Sequence, residues 1–162
     1  MRKVWSVFVL GGGLFVVDQI LKNWAYRNLR AKPNFFIFGD FFSLEFYQNR
    51  GIAFGISLLP AVFYFLAFLI FSFLIAAGLR FWRQKKFFAL CGIFLITLGA
   101  ASNLIDRLRF GYVIDYFNLF FWPVFNLADL MIFAGAVILA AQSVTCPPLA
   151  SPAGDGRRER KA

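Results

Sequence analysis

The sequence predicts an all-α membrane protein of four transmembrane helices, with a small aromatic-rich, β-like extracytoplasmic segment between helices 1 and 2. Three observations predict it. Of 162 residues, 60% are hydrophobic and 24 are Phe, more apolar surface than a soluble chain of this size can hide. The apolar residues fall into four runs, 4–21, 58–79, 87–105 and 120–144. Each is near the roughly 20 residues that cross a hydrocarbon core about 30 Å thick. The basic residues cluster between these runs, as topology signals do. One domain, 1–146, holds all four spans.

The first run follows Arg2 and Lys3 and could be read as a cleaved signal peptide. No A-x-A site follows, and Asp18-Gln19 interrupts the apolar stretch, so it is expected to remain as a span. Segment 26–57 is long for a bare connection. Its aromatic runs, FFIFGDFFSLEFYQNRGIAFG, broken at Gly39-Asp40 and Asn49-Arg50-Gly51, predict short strands at the membrane interface. Runs 58–79 and 87–105 carry no charge and are joined by the tight, basic RFWRQKK connection. The fourth run begins in aromatic sequence at 120. Beyond it, PPLASPAGDGRRERKA (147–162) is rich in Pro, Gly, Ser and charge and predicts a disordered tail. No internal repeat is visible.

Composition excludes several chemistries. The net charge of +9 sits in short clusters between apolar runs, which argues for topology rather than a nucleic-acid face. The absence of His excludes Ser-His-Asp and Cys-His nucleophile systems and leaves little basis for a zinc site. Cys91 and Cys146 lie in or at the end of apolar runs without CxxC spacing, and read as small core residues rather than a disulfide. No metal or cofactor is expected. The positive-inside rule, weighted by the short RFWRQKK connection, puts both termini in the cytoplasm and segment 26–57 outside.

Threaded in that direction, the polar residues gather at one depth. Asp18 and Lys22 end span one, Gln48, Asn49 and Arg50 precede span two, Asn103, Asp106 and Arg107 end span three, and Asn126 and Asp129 begin span four. All lie towards the outer leaflet, whereas an ion pathway would place polar groups near the midplane. Asp18 and Lys22, at i and i+4, read equally as a local ion pair that makes the helix end tolerable. Asn103, Asp106 and Arg107 share a helix face, and the structural reading is favoured: Asp106 and Arg107 pair with neighbours and order the following loop. Asn126 shares a face with Asp129, so its amide could bond that carboxylate or a substrate carbonyl.

Asp115 and Asp129 stand out. They bracket the uncharged stretch YFNLFFWPVFNLA in a chain with eight acidic residues. An ionised Asp within a membrane helix costs on the order of 2.5–3.5 kcal/mol on insertion scales, so such residues are functional candidates. Asp129 has no basic neighbour in sequence. Asp115 alone would pass for a solvated loop residue, and its case rests on pairing with Asp129. Two carboxyls together can share a proton, one serving as base and one as acid.

At these residues the chain resembles the lipoprotein signal peptidases, or signal peptidase II. The blocks are VDQILK (17–22), QNRGIAFG (48–55), SNLIDRLRFGYVIDY (102–116) and FNLADL (125–130), in order and spread over all but the tail. The resemblance implies an aspartic endopeptidase with Asp115 and Asp129 as its catalytic dyad. Asp18, Lys22, Asn49, Asn103, Asp106, Arg107 and Asn126 would support the site or hold the substrate. Ser102 stands where glycine is usual, and Arg50 where a small hydroxyl residue is common. The implied reaction is removal of signal peptides from bacterial prolipoproteins, by hydrolysis before a diacylglyceryl-modified cysteine. The implied setting is the bacterial cell membrane, with the protein monomeric among membrane lipids and the site near the outer leaflet. One rival pairs Ser57 with Lys22 as a Ser-Lys peptidase, although Asp18 one turn away should keep Lys22 a poor base. Another is a small transporter using Asp129 as proton carrier, which requires mid-depth polar lining.

Overall fold

The structure is a computed structural model that describes residues 2–31, 34–39, 41–51 and 59–145, with the side chains of 2–4 and 143–145 left aside. The tail from 147, Cys146 and Ser57 lie outside the described residues. Among the described residues there are four helices: α1 (Arg2–Asn28), α2 (Pro60–Arg83), α3 (Phe87–Phe110) and α4 (Leu127–Thr145). The first three contain stretches long and apolar enough to cross a membrane, and the apolar part of α4, Leu127–Gln142, is shorter. Four strands complete the fold: β1 (Phe35–Phe38) and β2 (Phe42–Asn49) between α1 and α2, and β3 (Val113–Leu119) and β4 (Trp122–Phe125) between α3 and α4. They form one antiparallel sheet in the order β1-β2-β3-β4.

Two expectations are corrected here. The fold is not all-α outside segment 26–57, because the second connection supplies half of the sheet. The fourth helix starts at Leu127 rather than at 120, since the aromatic run 120–125 is spent on a turn and on β4. Aromatic composition suits a pleated strand as well as a span, so hydropathy alone could not separate them.

Helix ends follow local chemistry. Pro60 opens α2 where a backbone N–H would be unpaired in any case, and Arg80 and Arg83 sit at the negative end of its dipole. α1 continues to Asn28 and α3 to Phe110, past the expected limits at 21 and 105. The charged residues that suggested those limits, Lys22 and Asp106, are buried against each other instead of facing water. Gly111, at φ +80°, then ends α3, a backbone that a side chain would strain.

α3 is central, packed against α1, α2 and most closely against α4. The α3–α4 seam is built from small residues. A Cβ on Gly92 would stand 2.9 Å from the Gly135 carbonyl oxygen, and a Cβ on Gly135 would stand 2.5 Å from that of Gly92. Such close backbone approach is how helices associate where lipid supplies no hydrophobic drive. The sheet docks on the end of α1 through Ile114 and Tyr116, which pack with Ala25 and Leu29.

Candidate active site

Strand alternation sets the site's first side chain. On β3, Ile114 and Tyr116 face α1, so Val113 and Asp115 face the other way. Asp115 pairs across with Tyr47 of β2 and is fully buried. It is therefore a strand residue sealed inside the protein, and not the solvated loop residue its sequence context suggested.

Asn126 and Asp129 meet this strand where β4 turns into α4. Asn126 is the N-cap: its Oδ1 accepts from the Asp129 N–H (3.0 Å), while its own N–H donates to Asp129 Oδ2 (3.2 Å). This reciprocal capping satisfies two orphan donors at the helix start. The amide's other end donates from Nδ2 to Asp115 Oδ1 at 2.6 Å. One buried residue thus links the two carboxylates, through its side-chain amide to Asp115 and its backbone N–H to Asp129. The remaining oxygens are held as well, Asp129 Oδ1 by Asn103 Nδ2 (2.9 Å) and Asp115 Oδ2 by Asn49 Nδ2 (2.9 Å).

Behind this layer lies a second, wholly buried one. The Lys22 ammonium is 3.1 Å from Asp18 Oδ2 and 2.9 Å from Asp106 Oδ2, and donates to Asn103 Oδ1 at 2.7 Å. With Lys22 on its carbonyl side, the Asn103 amide must turn its NH₂ to Asp129. Asp18 Oδ1 accepts from the Tyr116 hydroxyl (3.0 Å) and the Ala128 N–H (3.2 Å), tying α1 to β3 and α4. Asp106 Oδ2 also accepts from the Ile114 N–H, which orders the start of β3 as the structural reading of its helix face expected. Arg107 turns elsewhere: it donates to the Gly51 carbonyl (2.7 Å) and lies over the Phe63 ring. Eight of the nine expected site residues therefore form one connected cluster, and Arg107 adjoins it through Gly51, whose N–H donates to Asn49 Oδ1.

Sequence reasoning missed three members. The Ser102 hydroxyl donates to Asp18 Oδ2 (2.5 Å) and accepts from Gln19 (2.7 Å), and Tyr116 also accepts from the Leu127 N–H. Ser102 stood out only as a departure from the family pattern, Gln19 only as an interruption of the first apolar run, and nothing in the local sequence marks Tyr116.

A cavity of about 370 Å³ opens onto the cluster, lined by Asn49, Asn103, Arg107 and Asp129 at its polar end. Leu66, Ile70 and Phe71 of α2 and Ile132 of α4 make the rest apolar. Asp129 borders this space directly, whereas Asp115 lies behind it. Burial, and then the neighbouring Asp129 charge, push the Asp115 carboxyl up to about 7. The Asn49 and Asn126 donors pull in the opposite direction and lose. Burial and the Asp18 charge likewise raise Tyr116, which keeps its hydroxyl a donor.

This arrangement sets two electrostatically coupled carboxyls, one of them raised to about 7, beside an apolar cavity. Among the described residues, no three His, Cys, Asp or Glu side chains converge to hold a metal ion. The serine hydroxyl that Lys22 reaches is that of Ser102, at 3.4 Å, and it donates to Asp18 within the buried cluster; Ser57, the serine of the rival Ser-Lys reading, lies outside the described residues.

The family model described as Signal peptidase (SPase) II matches residues 10–145. A lipoprotein signal peptidase of Moorella thermoacetica is 35% identical over 146 residues, 90% of this chain and 93% of the relative. One of Halothermothrix orenii is 37% identical over 129 residues, covering 78% and 86%. In fold, two bacterial membrane enzyme structures solved in meso, at 2.3 and 1.9 Å resolution, superpose with TM-scores of 0.73 and 0.72. Their identities are 23% and 24%, and the match covers 86% of this chain with 87% and 93% of theirs.

Proposed function

This chain belongs to the signal peptidase II family, and from that premise we propose that Asp115 and Asp129 are the carboxyls with which it cuts its substrate. It is a multi-pass membrane aspartic peptidase that removes signal peptides from prolipoproteins. The bond cut is the one before a diacylglyceryl-modified cysteine. The observation that carries the assignment is the Asn126 bridge, which links Asp129, at the polar end of an apolar cavity, to Asp115 behind it.

The two carboxyls differ in a way that suggests their roles. Asp115, sealed and pushed up to about 7, holds the proton the pair shares. Asp129, at the cavity wall, takes a proton from the attacking water. The Asp115 proton passes to the scissile carbonyl oxygen as the tetrahedral intermediate forms. That intermediate collapses with protonation of the leaving amine, and both carboxyls return to their starting state. Leu66, Ile70 and Ile132 offer an apolar wall for the substrate's lipid chains. Asn49, bonded to Asp115 and accepting from the Gly51 N–H, would sit against the peptide, with the aromatic 35–55 region, of which 40 and 52–55 lie outside the described residues, closing over it.

The remaining parts of the reading are topological. The domain spans 1–146 with α4 as a fourth crossing, both termini are cytoplasmic, the carboxyls lie near the outer leaflet, and the protein works as a monomer. The test is processing of a lipidated precursor by purified protein. Asp115→Asn and Asp129→Asn should each nearly abolish cleavage at unchanged abundance, with the double variant little worse, since groups acting as a unit are non-additive. Substantial cleavage by Asp129→Asn would sink the proposal.

A further inference from the structure

At the end of the bundle opposite the carboxyls, α2 and α4 stand on either side of α3 and leave a groove of about 750 Å³, within the roughly 300–1,000 Å³ typical of ligand sites. Phe73, Ala77 and Phe81 of α2, Ile93 of α3 and Leu139 of α4 make its walls apolar. Its mouth is different: Lys85 and Lys86 stand there, and among the described residues no acidic one lines the groove. We propose that this groove binds one anionic phospholipid, an acyl chain lying between α2 and α4 and the phosphate resting on Lys85 and Lys86.

Three observations point to this occupant. The groove is apolar along the helices and cationic only at the bundle end, the charge order of a lipid with an anionic head. α3 starts at that mouth without a side-chain cap and without an acidic residue in its first turn. The N–H groups of Phe87, Phe88 and Ala89 precede its first helical bond, Leu90 N–H to Lys86 O, and face the same mouth as partial positive charge. Finally, Lys85 has φ +57°, the one non-glycine residue with positive φ among those described. Its N–H bonds the Trp82 carbonyl and that of Lys86 bonds Phe81, the pattern with which helices end on glycine. A lysine in glycine's place is strained there, and the ammonium it presents is what glycine would lack.

The experiment uses the full chain, purified and delipidated in non-ionic detergent, titrated with dioleoyl-phosphatidylglycerol, dioleoyl-phosphatidylcholine and sn-glycerol 3-phosphate. Binding is read by native mass spectrometry and by the thermal midpoint. Phosphatidylglycerol should occupy a single site and raise the midpoint, phosphatidylcholine should bind about tenfold more weakly, and glycerol phosphate should do neither. The exposed pair Lys85→Gln/Lys86→Gln should lose about tenfold in phosphatidylglycerol affinity and nothing for phosphatidylcholine. Ala77→Trp, which fills the groove and keeps the lysines, should lose it too. Lys85→Gly should raise the lipid-free midpoint and shrink the increment due to phosphatidylglycerol. Equal affinity for the two lipids overturns the proposal. So does unchanged binding in the lysine pair or in Ala77→Trp, and so does full stabilisation by glycerol phosphate.

Discussion

Lys22 shows most directly how single residues carry this site. Its buried ammonium is compensated by Asp18 and Asp106, and it fixes which way the Asn103 amide faces. Lys22→Met would leave two buried carboxylates without their counter-charge, a loss of roughly 3–5 kcal/mol for a broken buried pair. The expected outcome is a lower thermal midpoint, and residual activity that falls with the folded fraction. A variant of normal stability and no activity would instead put Lys22 in the chemistry. Asp115 carries a second residue-scale expectation. Its carboxyl, pushed up to about 7, keeps its proton below that pH and loses it above. If that proton starts the reaction, kcat/KM falls as pH rises through about 7, the apparent value belonging to the pair. Since the Asp129 charge helps to raise Asp115, Asp129→Asn should lower the pH at which the Asp115 carbonyl stretch disappears from the infrared spectrum. An unchanged or higher titration point would separate the two carboxyls.

Among the elements, the α3–α4 pair and the sheet do different work. The helix pair is held at close range by Gly92 opposite Gly135 and by Gly99 opposite Ala128, which places Asn103 of α3 against Asp129 of α4. Gly135→Ala would set a methyl 2.5 Å from the Gly92 carbonyl, and overpacking of this kind costs about 1–3 kcal/mol. A drop in thermal midpoint with a parallel loss of cleavage is expected, because the seam also spaces the carboxyls. A midpoint equal to that of the parent protein would show that the helices can part without cost. The sheet, by contrast, brings together two connections far apart in sequence. β2 carries Asn49 and β3 carries Asp115, and their pairing sets one against the other.

For the whole molecule, the polar cluster closes one end of the bundle and the basic α2–α3 connection marks the other. Reporter fusions at the tail and near Phe36 should place the tail in the cytoplasm and Phe36 outside. An exported tail would invert the proposed placement of the site. Removal of 147–162, a polar, Pro-rich segment, should leave cleavage nearly intact. A large loss with normal membrane insertion would assign the tail a part in activity.

Read alone, the chain already specified a membrane protein with three of its helices near the right place and the polar residues that would meet at one end. Those features depend on hydropathy, charge and spacing, which are local properties. The same was true of Asp129, whose isolation from basic residues is visible in the string. Folding in three dimensions settled the rest. Hydropathy cannot tell a Phe-rich strand from a Phe-rich span, so β4 was hidden inside the expected fourth helix. The burial of Asp115 comes from strand pairing with a segment 66 residues away. The Asn126 bridge depends on a helix cap and a strand arriving at the same point, and the cluster around Lys22 and Asp18 on α1, α3, β3 and α4 meeting in the core. No reading of neighbouring residues contains those meetings, because each is a contact between parts of the chain that only packing brings together.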